Sequence, residues 1–279
     1  MMSKIDWEHE WNDVLEEAMM SKCHVGSDGF SSFYDDTAKD YQKGVLADID
    51  FYQHIVDHLA TEGIIRKGDS VLDIGSGPGT YTLPIAEKVG SIAALDPSNG
   101  MLELLMRESV ARGLSNVKPI KSSWEDYNSE ERFDLVFAAL SPGIKGPAEL
   151  MKMERFSTRS CCYINYGAAG GDKELSDDLW KLVTGEKKEN NDFNITYPFN
   201  LLHSMGRKPN VLFFEKPKKV SMPCDDIADG HIKWLSMFTH MDEAKEKQVR
   251  DYITGHSKDG RYEHEDKLTL VALFWNVPR

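Results

Sequence analysis

The segment Val71-Leu-Asp-Ile-Gly-Ser-Gly-Pro-Gly-Thr80 carries three glycines at alternate positions, Gly75, Gly77 and Gly79, directly after a short apolar run. A buried strand that ends in such a loop and opens into a helix lets backbone approach a nucleotide closely, because glycine has no Cβ to intervene. The spacing is GxGxG, with Thr80 where a dinucleotide fingerprint carries glycine, and no lysine follows, which excludes a phosphate-binding P-loop. Asp73 stands two residues before the first glycine, where a carboxylate is awkward beside a pyrophosphate and suits a cationic ligand. The next apolar run ends at Asp96, 21 positions beyond Gly75 (75 to 96). That matches the roughly 20-residue distance at which a carboxylate meets ribose hydroxyls. The two oxygens of Asp96 can accept from both hydroxyls as charge-assisted bonds.

Other side chains offer chemistry with less pattern behind them. Tyr166, at the end of the CCYINY run, and His203, in NLLHSMG, are candidate catalytic donors or bases. His54 and His58 lie four apart with Asp50 on the same helix face, a spacing that would suit a metal. That face is the polar one and reads as solvated surface, so no metal is expected. Cys161 and Cys162 are neighbours on a strand and must point to opposite faces, so they cannot act as a pair. No two of the four cysteines are spaced as CxxC, which argues against a zinc site or a disulfide framework and for a reducing compartment.

The elements that must hold these residues follow from periodicity. Trp7, Trp11, Val14, Leu15, Ala18 and Met19 recur at helical spacing, with Ser3 and Asp6 as a capping box. A second helix covers 45–60. From Val71 to Tyr166, short apolar runs (VLDI, SIAAL, VKPI, FDLVFA, CCYINY) alternate with helical runs near 80–89, 99–112 and 146–156. Alternation of this kind means a parallel sheet built from βαβ units. Pro119 lacks a backbone donor, which sends the third strand to a sheet edge. After Gly171 the alternation stops. ELSDDLWKLV reads as a helix, VLFFEKP (211–217) and LTLVALFWNV (268–277) as late strands extending the sheet, and the stretch between them as a helical insertion.

With SSWEDY (122–127) and RFDLVFAALS (132–141), the segments DIGSGPGT and LDPSNGML resemble class I S-adenosylmethionine-dependent methyltransferases of the small-molecule type, over about residues 68–167. The resemblance implies a Rossmann-like, doubly wound α/β fold whose mostly parallel seven-stranded sheet has one antiparallel strand. It implies S-adenosyl-L-methionine as cofactor and S-adenosyl-L-homocysteine as product. The cofactor-binding residues it implies are Asp73, Gly75, Ser76, Gly77 and Gly79 by the methionine part, and Asp96 on the ribose with Pro97 and Met101 beside it. Ser123, Trp124 and Glu125 would flank adenine, and Ala138 belongs to the fourth-strand motif. FYDDTAKDY (33–41) looks like a covering segment that would place Tyr34 or Tyr41 over the amino-acid end. Leu140 and Ser141, in the loop after the fourth strand, would face the methyl group. That loop lacks the Asn/Asp-Pro-Pro-aromatic signature of adenine- and amide-N-methylating relatives.

The chain has 279 residues, 41% of them hydrophobic, and a net charge of −13. The charge argues against a nucleic-acid partner, which would demand a basic face; Lys216, Lys218 and Lys219 come nearest to one. No run approaches the ~18 apolar residues of a membrane span. The start, MMSKIDWEHEW, shows no signal pattern, so a cytoplasmic protein is expected. Residues 1–44 are expected as a helical N-terminal cap and 45–279 as the main domain, with insertions at about 172–210 and 225–262. These extra segments carry large apolar side chains such as Trp7, Trp180, Trp234 and Phe238, and are expected to roof the substrate pocket. The expected activity is methyl transfer to a small-molecule acceptor by in-line displacement, catalysed mainly by positioning. A methyltransferase acting on RNA or protein, and a non-catalytic cofactor-binding module, remain as alternatives. Acceptor and oligomeric state are not legible.

Overall fold

Seven strands carry the apolar runs: β1 (Ser70–Ile74), β2 (Ser91–Asp96), β3 (Val117–Lys121), β4 (Phe133–Ala139), β5 (Ser157–Tyr166), β6 (Asn210–Pro223) and β7 (Arg261–Asn276). Among the described residues the helices, in chain order, are α1 (Trp7–Glu17), α2 (Ile49–Thr61), α3 (Thr82–Ala86), α4 (Asn99–Ala111), α5 (Pro147–Phe156), α6 (Lys173–Thr184), α7 (Thr196–Ser204), α8 (Cys224–Leu235) and α9 (Glu243–Gly255). The computed structural model describes residues 5–17, 49–167, 172–188 and 195–278, except the side chains of Glu17, Lys218 and Asp266. Tyr34 and Tyr41 therefore lie outside the described residues.

The sheet order is β3-β2-β1-β4-β5-β7-β6. β1 through β5 run parallel, and β7 is antiparallel to both β5 and β6. Chain order reverses between β1 and β4, and in such open sheets ligands bind outside the carboxyl ends at that switch point. Asp73 lies level with Ala94 of β2 and Phe137 of β4, so the glycine loop leaves the sheet between them. β3, with Pro119, is an edge strand paired to β2.

Each sheet face buries its own core. One face packs Ile55, Val56 and Leu59 of α2, Leu83 and Ile85 of α3 and Leu105 of α4 onto Val71, Phe137, Cys162 and Ala272. The other packs Trp11 of α1, Leu150, Met153 and Phe156 of α5 and Leu201 and Leu202 of α7 onto Leu72, Val136, Cys161 and Trp275. Cys161 and Cys162 thus face opposite layers, as the pleat requires. Alternation along β5 buries successive residues in different cores.

Asp6 caps α1, its carboxylate accepting from the amides of Glu8 and His9 at 3.2 Å each, while Ser3 lies outside the described residues. Two features depart from the periodicity reading. The stretch 196–204, which periodicity assigns to no element, forms α7, because Leu201 and Leu202 are buried in the core on that sheet face. The late strands are longer than their apolar runs. β5 stops pairing at Tyr166↔Leu270, whereas β6 and β7 stay paired out to Pro223↔Arg261. That ribbon continues past the carboxyl edge by up to about 30 Å, at ~3.3 Å per residue. Its charged residues hid it from a search for apolar alternation. A third hydrophobic cluster sits on it, built from Leu175, Leu179 and Val183 of α6, Ala228 and Leu235 of α8, Val249 and Ile253 of α9, and Tyr262. The chain therefore has a helical lobe projecting from the ligand-facing edge of the sheet.

Candidate functional site

The glycine loop is seated by backbone bonds to β2. The amides of Gly75 and Ser76 both donate to the Leu95 carbonyl, at 2.8 and 3.0 Å, and Gly79 N–H closes onto Ser76 at 3.1 Å. Gly75, Gly77 and Gly79 all have positive φ, a region that penalises side chains. Their surroundings differ. A Cβ on Gly75 would lie 2.2 Å from Ser141 Oγ, and one on Gly79 would lie 2.5 Å from Leu105. A Cβ on Gly77 would meet no atom of the described residues within 4 Å. Two glycines are thus required by the protein's own packing, and the third borders open space.

Asp96 closes the loop from the β2 side. Its carboxylate accepts from the amide of Gly77 at 2.8 Å and from that of Ser98 at 2.9 Å. Ser98 in turn caps α4, its hydroxyl accepting from Met101 N–H at 3.1 Å. This carboxylate is thus oriented by two amides at the carboxyl end of β2. Pro97 is exposed on the rim. Met101 is buried against Leu104 and supports α4.

Asp73 behaves differently. It is 2% exposed and turned under the loop, where Thr82 Oγ1 donates to it at 2.5 Å. Burial pushes its carboxyl up to about 7; the Thr82 hydroxyl pulls it down and the charge of Asp96 pushes it further up. Nearby, two buried hydroxyls, Ser76 Oγ and Thr80 Oγ1, have no hydrogen-bond partner among the described residues. Buried polar atoms are ordinarily paired, so unpartnered hydroxyls at a loop bordering open space suit a polar ligand.

The loops after β3 and β4 complete the crevice. Ser122 N–H donates to the Asp96 carbonyl at 3.3 Å, which sets the 122–127 loop directly beside β2. Ser123 Oγ is committed within that loop, donating to Asp126 at 2.6 Å and accepting from its amide at 3.0 Å. Trp124 is the main surprise. Its indole is 3% exposed, donates to the Glu149 carbonyl of α5 at 3.1 Å and meets Tyr127 and Phe156 in the core. The ring thus points away from the crevice, drawn by the apolar pocket under α5. On the β4 side, Ala138 is buried in the strand. Leu140 adopts φ 51°, a strained conformation for a γ-branched residue, while its amide donates to Ile164 at 2.9 Å. That turn lays Ser141 onto Gly75, with its hydroxyl accepting from Gly143 N–H at 3.2 Å.

The two catalytic candidates separate. Tyr166 ends β5 at the carboxyl edge with 43% of its surface open. Protein crowded around it raises its phenol above the usual range, which suits a donor better than a base at neutral pH. His203 corrects the sequence reading. It is exposed on the outer side of α7, stacked on Phe199, and the chain just beyond it ties Arg207 to Glu154 at the far end of α5. Glu154 also accepts from Trp275, next to the last residue of the antiparallel β7, so this helix end lies toward the amino edge of the sheet. The apolar run around His203 is the buried stripe of a helix whose opposite side carries the imidazole. Likewise His54 and His58 meet Phe214 edge-on, a packing arrangement. Sequence reasoning missed Thr82, Ser98 and Lys152. Only Ser98 left a signal, as a serine immediately before a helical run.

Residues 71–152 match the family model described as a methyltransferase domain. Aklanonic acid methyltransferase DauC of Streptomyces sp. (strain C5) is 40% identical over 78 residues, 26% of this chain and 36% of that protein. Ribosomal RNA small subunit methyltransferase G of Alteromonas mediterranea is 31% identical over 97 residues, 33% of this chain and 44% of that protein. The chain spans less than half the length of these curated relatives. The DhpI–SAH complex superimposes with a TM-score of 0.51 at 16% identity, over 89% of this chain and 96% of that one, which is a likeness of fold. Among the described residues no helix is long and apolar enough to cross a membrane.

Proposed function

We propose that this chain, a member of the class I S-adenosylmethionine-dependent methyltransferase family through its domain at residues 71–152, binds S-adenosylmethionine and methylates a small-molecule acceptor. The observation that carries the cofactor reading is the pairing of Gly77 with Asp96. A carboxylate held by two amides stands beside a glycine bordering open space, with the unpartnered hydroxyls of Ser76 and Thr80 close by. Asp96 accepts from the ribose hydroxyls. Because the glycine loop occupies the β1 side, the base extends toward the 122–127 loop and the amino-acid end toward β4. Asp73 acts from beneath, tying α3 to the strand. When bound, the cofactor supplies a methyl group on a positively charged sulfur.

The chain's own residues then position the acceptor. The strained Leu140 and the buried Ser141 shape the wall after β4, Tyr166 offers a hydroxyl from β5, and the α6/α8/α9 lobe projects from the same edge. Holding reactants in an attack geometry supplies a large part of the acceleration in such transfers.

Relatives named for a small-molecule acid and for ribosomal RNA both match, so the matched stretch does not choose between acceptor classes. Charge favours the small molecule. On the ribbon that carries the basic cluster, Lys219 pairs with Glu265 and Lys267 with Glu215, each at 2.6 Å, which neutralises the face an RNA backbone would need.

Calorimetric titration with S-adenosylhomocysteine tests the cofactor. Binding should be micromolar, NAD should not compete, and Asp96→Ala should weaken it by at least roughly tenfold, the scale of hydrogen bonds to a charged group. Tight NAD binding, or an indifferent Asp96→Ala, overturns the reading. Incubation with radiolabelled methyl donor and size-fractionated cell extract then tests the acceptor. Label in the low-mass fraction supports a small molecule, and label in RNA or protein overturns it.

A further inference from the structure

We infer that Lys152 is a positioning residue for the base end of the cofactor, acting through the 122–127 loop. The inference rests on the cofactor reading above, which puts the base beside that loop. Lys152 lies on α5, the helix that follows the acceptor loop. Its ammonium donates to the Trp124 carbonyl at 2.5 Å and the Glu125 carbonyl at 3.1 Å, and sits 4.6 Å from the centre of the Trp124 ring. The same helix takes the Trp124 indole N–H on the Glu149 carbonyl at 3.1 Å. Lys145, just before α5, pairs with the Glu125 carboxylate at 3.2 Å.

These contacts are more than surface decoration. A lysine that merely covers apolar surface keeps its ammonium in water. Here desolvation holds the ammonium below its ordinary pKa, with Arg155 adding to that and the acids Asp126, Glu149 and Glu125 opposing it. The cost is offset by two carbonyl bonds and an aromatic face. The geometric consequence is specific. A trans peptide is planar, with its C=O and N–H pointing in opposite directions. Fixing the Trp124 carbonyl on Lys152 therefore aims the next amide, Glu125 N–H, away from α5. Gly143 of the acceptor loop abuts the same turn, since a Cβ there would come within 3.1 Å of Trp124 Cβ. Lys152 thus sets the orientation of a backbone donor on the base side and braces it against the acceptor side. With Ser123 held on Asp126, Trp124 in the core and Glu125 on Lys145, the donor this turn directs away from α5 is its backbone amide.

The test compares S-adenosylhomocysteine with S-inosylhomocysteine, which differs at the base, on the full-length chain and its Lys152→Met and Lys152→Arg variants. Thermal unfolding is recorded without ligand. The unmutated chain should prefer the adenine form by roughly tenfold or more, the discrimination expected of oriented polar contacts. Lys152→Met should lose most of that preference, falling to about threefold or less, while Lys152→Arg, which can still reach both carbonyls, should restore it. A variant that loses affinity for both ligands equally, with preference intact, overturns the inference and leaves Lys152 a packing residue. So does Lys152→Met behaving as the unmutated chain. Failure of the unmutated chain to bind either ligand overturns the cofactor reading, and this inference with it.

Discussion

Thr82 Oγ1 donates to Asp73 Oδ2 at 2.5 Å, and the pair is sealed beneath the glycine loop with Asp73 2% and Thr82 0% exposed. The bond joins the first turn of α3 to the next-to-last residue of β1 and so closes the loop between them. It also leaves a carboxyl in a place where its ionisation is costly, close to the charge of Asp96.

That arrangement makes stability depend on pH. The Asp73 carboxyl is raised from 3.8 to about 7 by burial, so between those values the folded chain holds a proton that the unfolded chain has lost. Stability is then fully present below about pH 4 and falls as pH rises toward 7, by on the order of 4 kcal/mol at most. Asp73→Asn should flatten this part of the profile. Urea unfolding followed across that range measures it, and a ligand-free profile unchanged by the substitution would sink the account.

Two glycines two residues apart should fail in different ways. Gly75→Ala sets a Cβ at 2.2 Å from Ser141 Oγ and strains a φ of 72°, so the fold should lose about 2 kcal/mol or more. Adding Ser141→Gly should return the steric part and leave the backbone part. Gly77→Val has open space around it, so it should keep most of the fold, losing about 1–2 kcal/mol to its positive φ, and block ligand. Unfolding curves and titrations of the four proteins decide the matter. If Ser141→Gly rescues nothing, the contact with Gly75 is not what forbids a side chain there.

The projecting lobe has a core of its own and should loosen by itself. Leu179 is fully buried within it. Leu179→Ala should cost about 2–5 kcal/mol, concentrated in the lobe. Hydrogen exchange should then quicken in α6, α8 and α9 while β1, β4 and β5 keep their protection. Affinity for S-adenosylhomocysteine should stay within about twofold, and methyl transfer should fall if the lobe shapes the acceptor site. Equal loss of protection in the central strands would show that lobe and sheet unfold as one.

The parallel half of the sheet was legible before any coordinates, because five apolar runs separated by amphipathic stretches have few other ways to bury themselves. Asp96 was legible for a related reason. The length of one strand, helix and strand dictates how far along the chain the second carboxyl end recurs. Local spacing could say nothing about which way a side chain turns once the loop is built. Trp124 is expected to flank adenine, yet its indole is buried under α5, held by a hydrophobic pocket and the Glu149 carbonyl. Asp73 reads as a ligand contact, yet Thr82, nine residues on, folds over it. His203 is surrounded by apolar letters, but helical rotation carries it to the outer side of α7. The outer part of the β6/β7 ribbon, 218–223 against 261–266, escaped notice because charged residues on exposed strands leave no alternation to detect, and only its pairing reveals it. Lys152 meets the Trp124 carbonyl across 28 positions of sequence, a contact made by packing α5 against the loop and written in no local pattern.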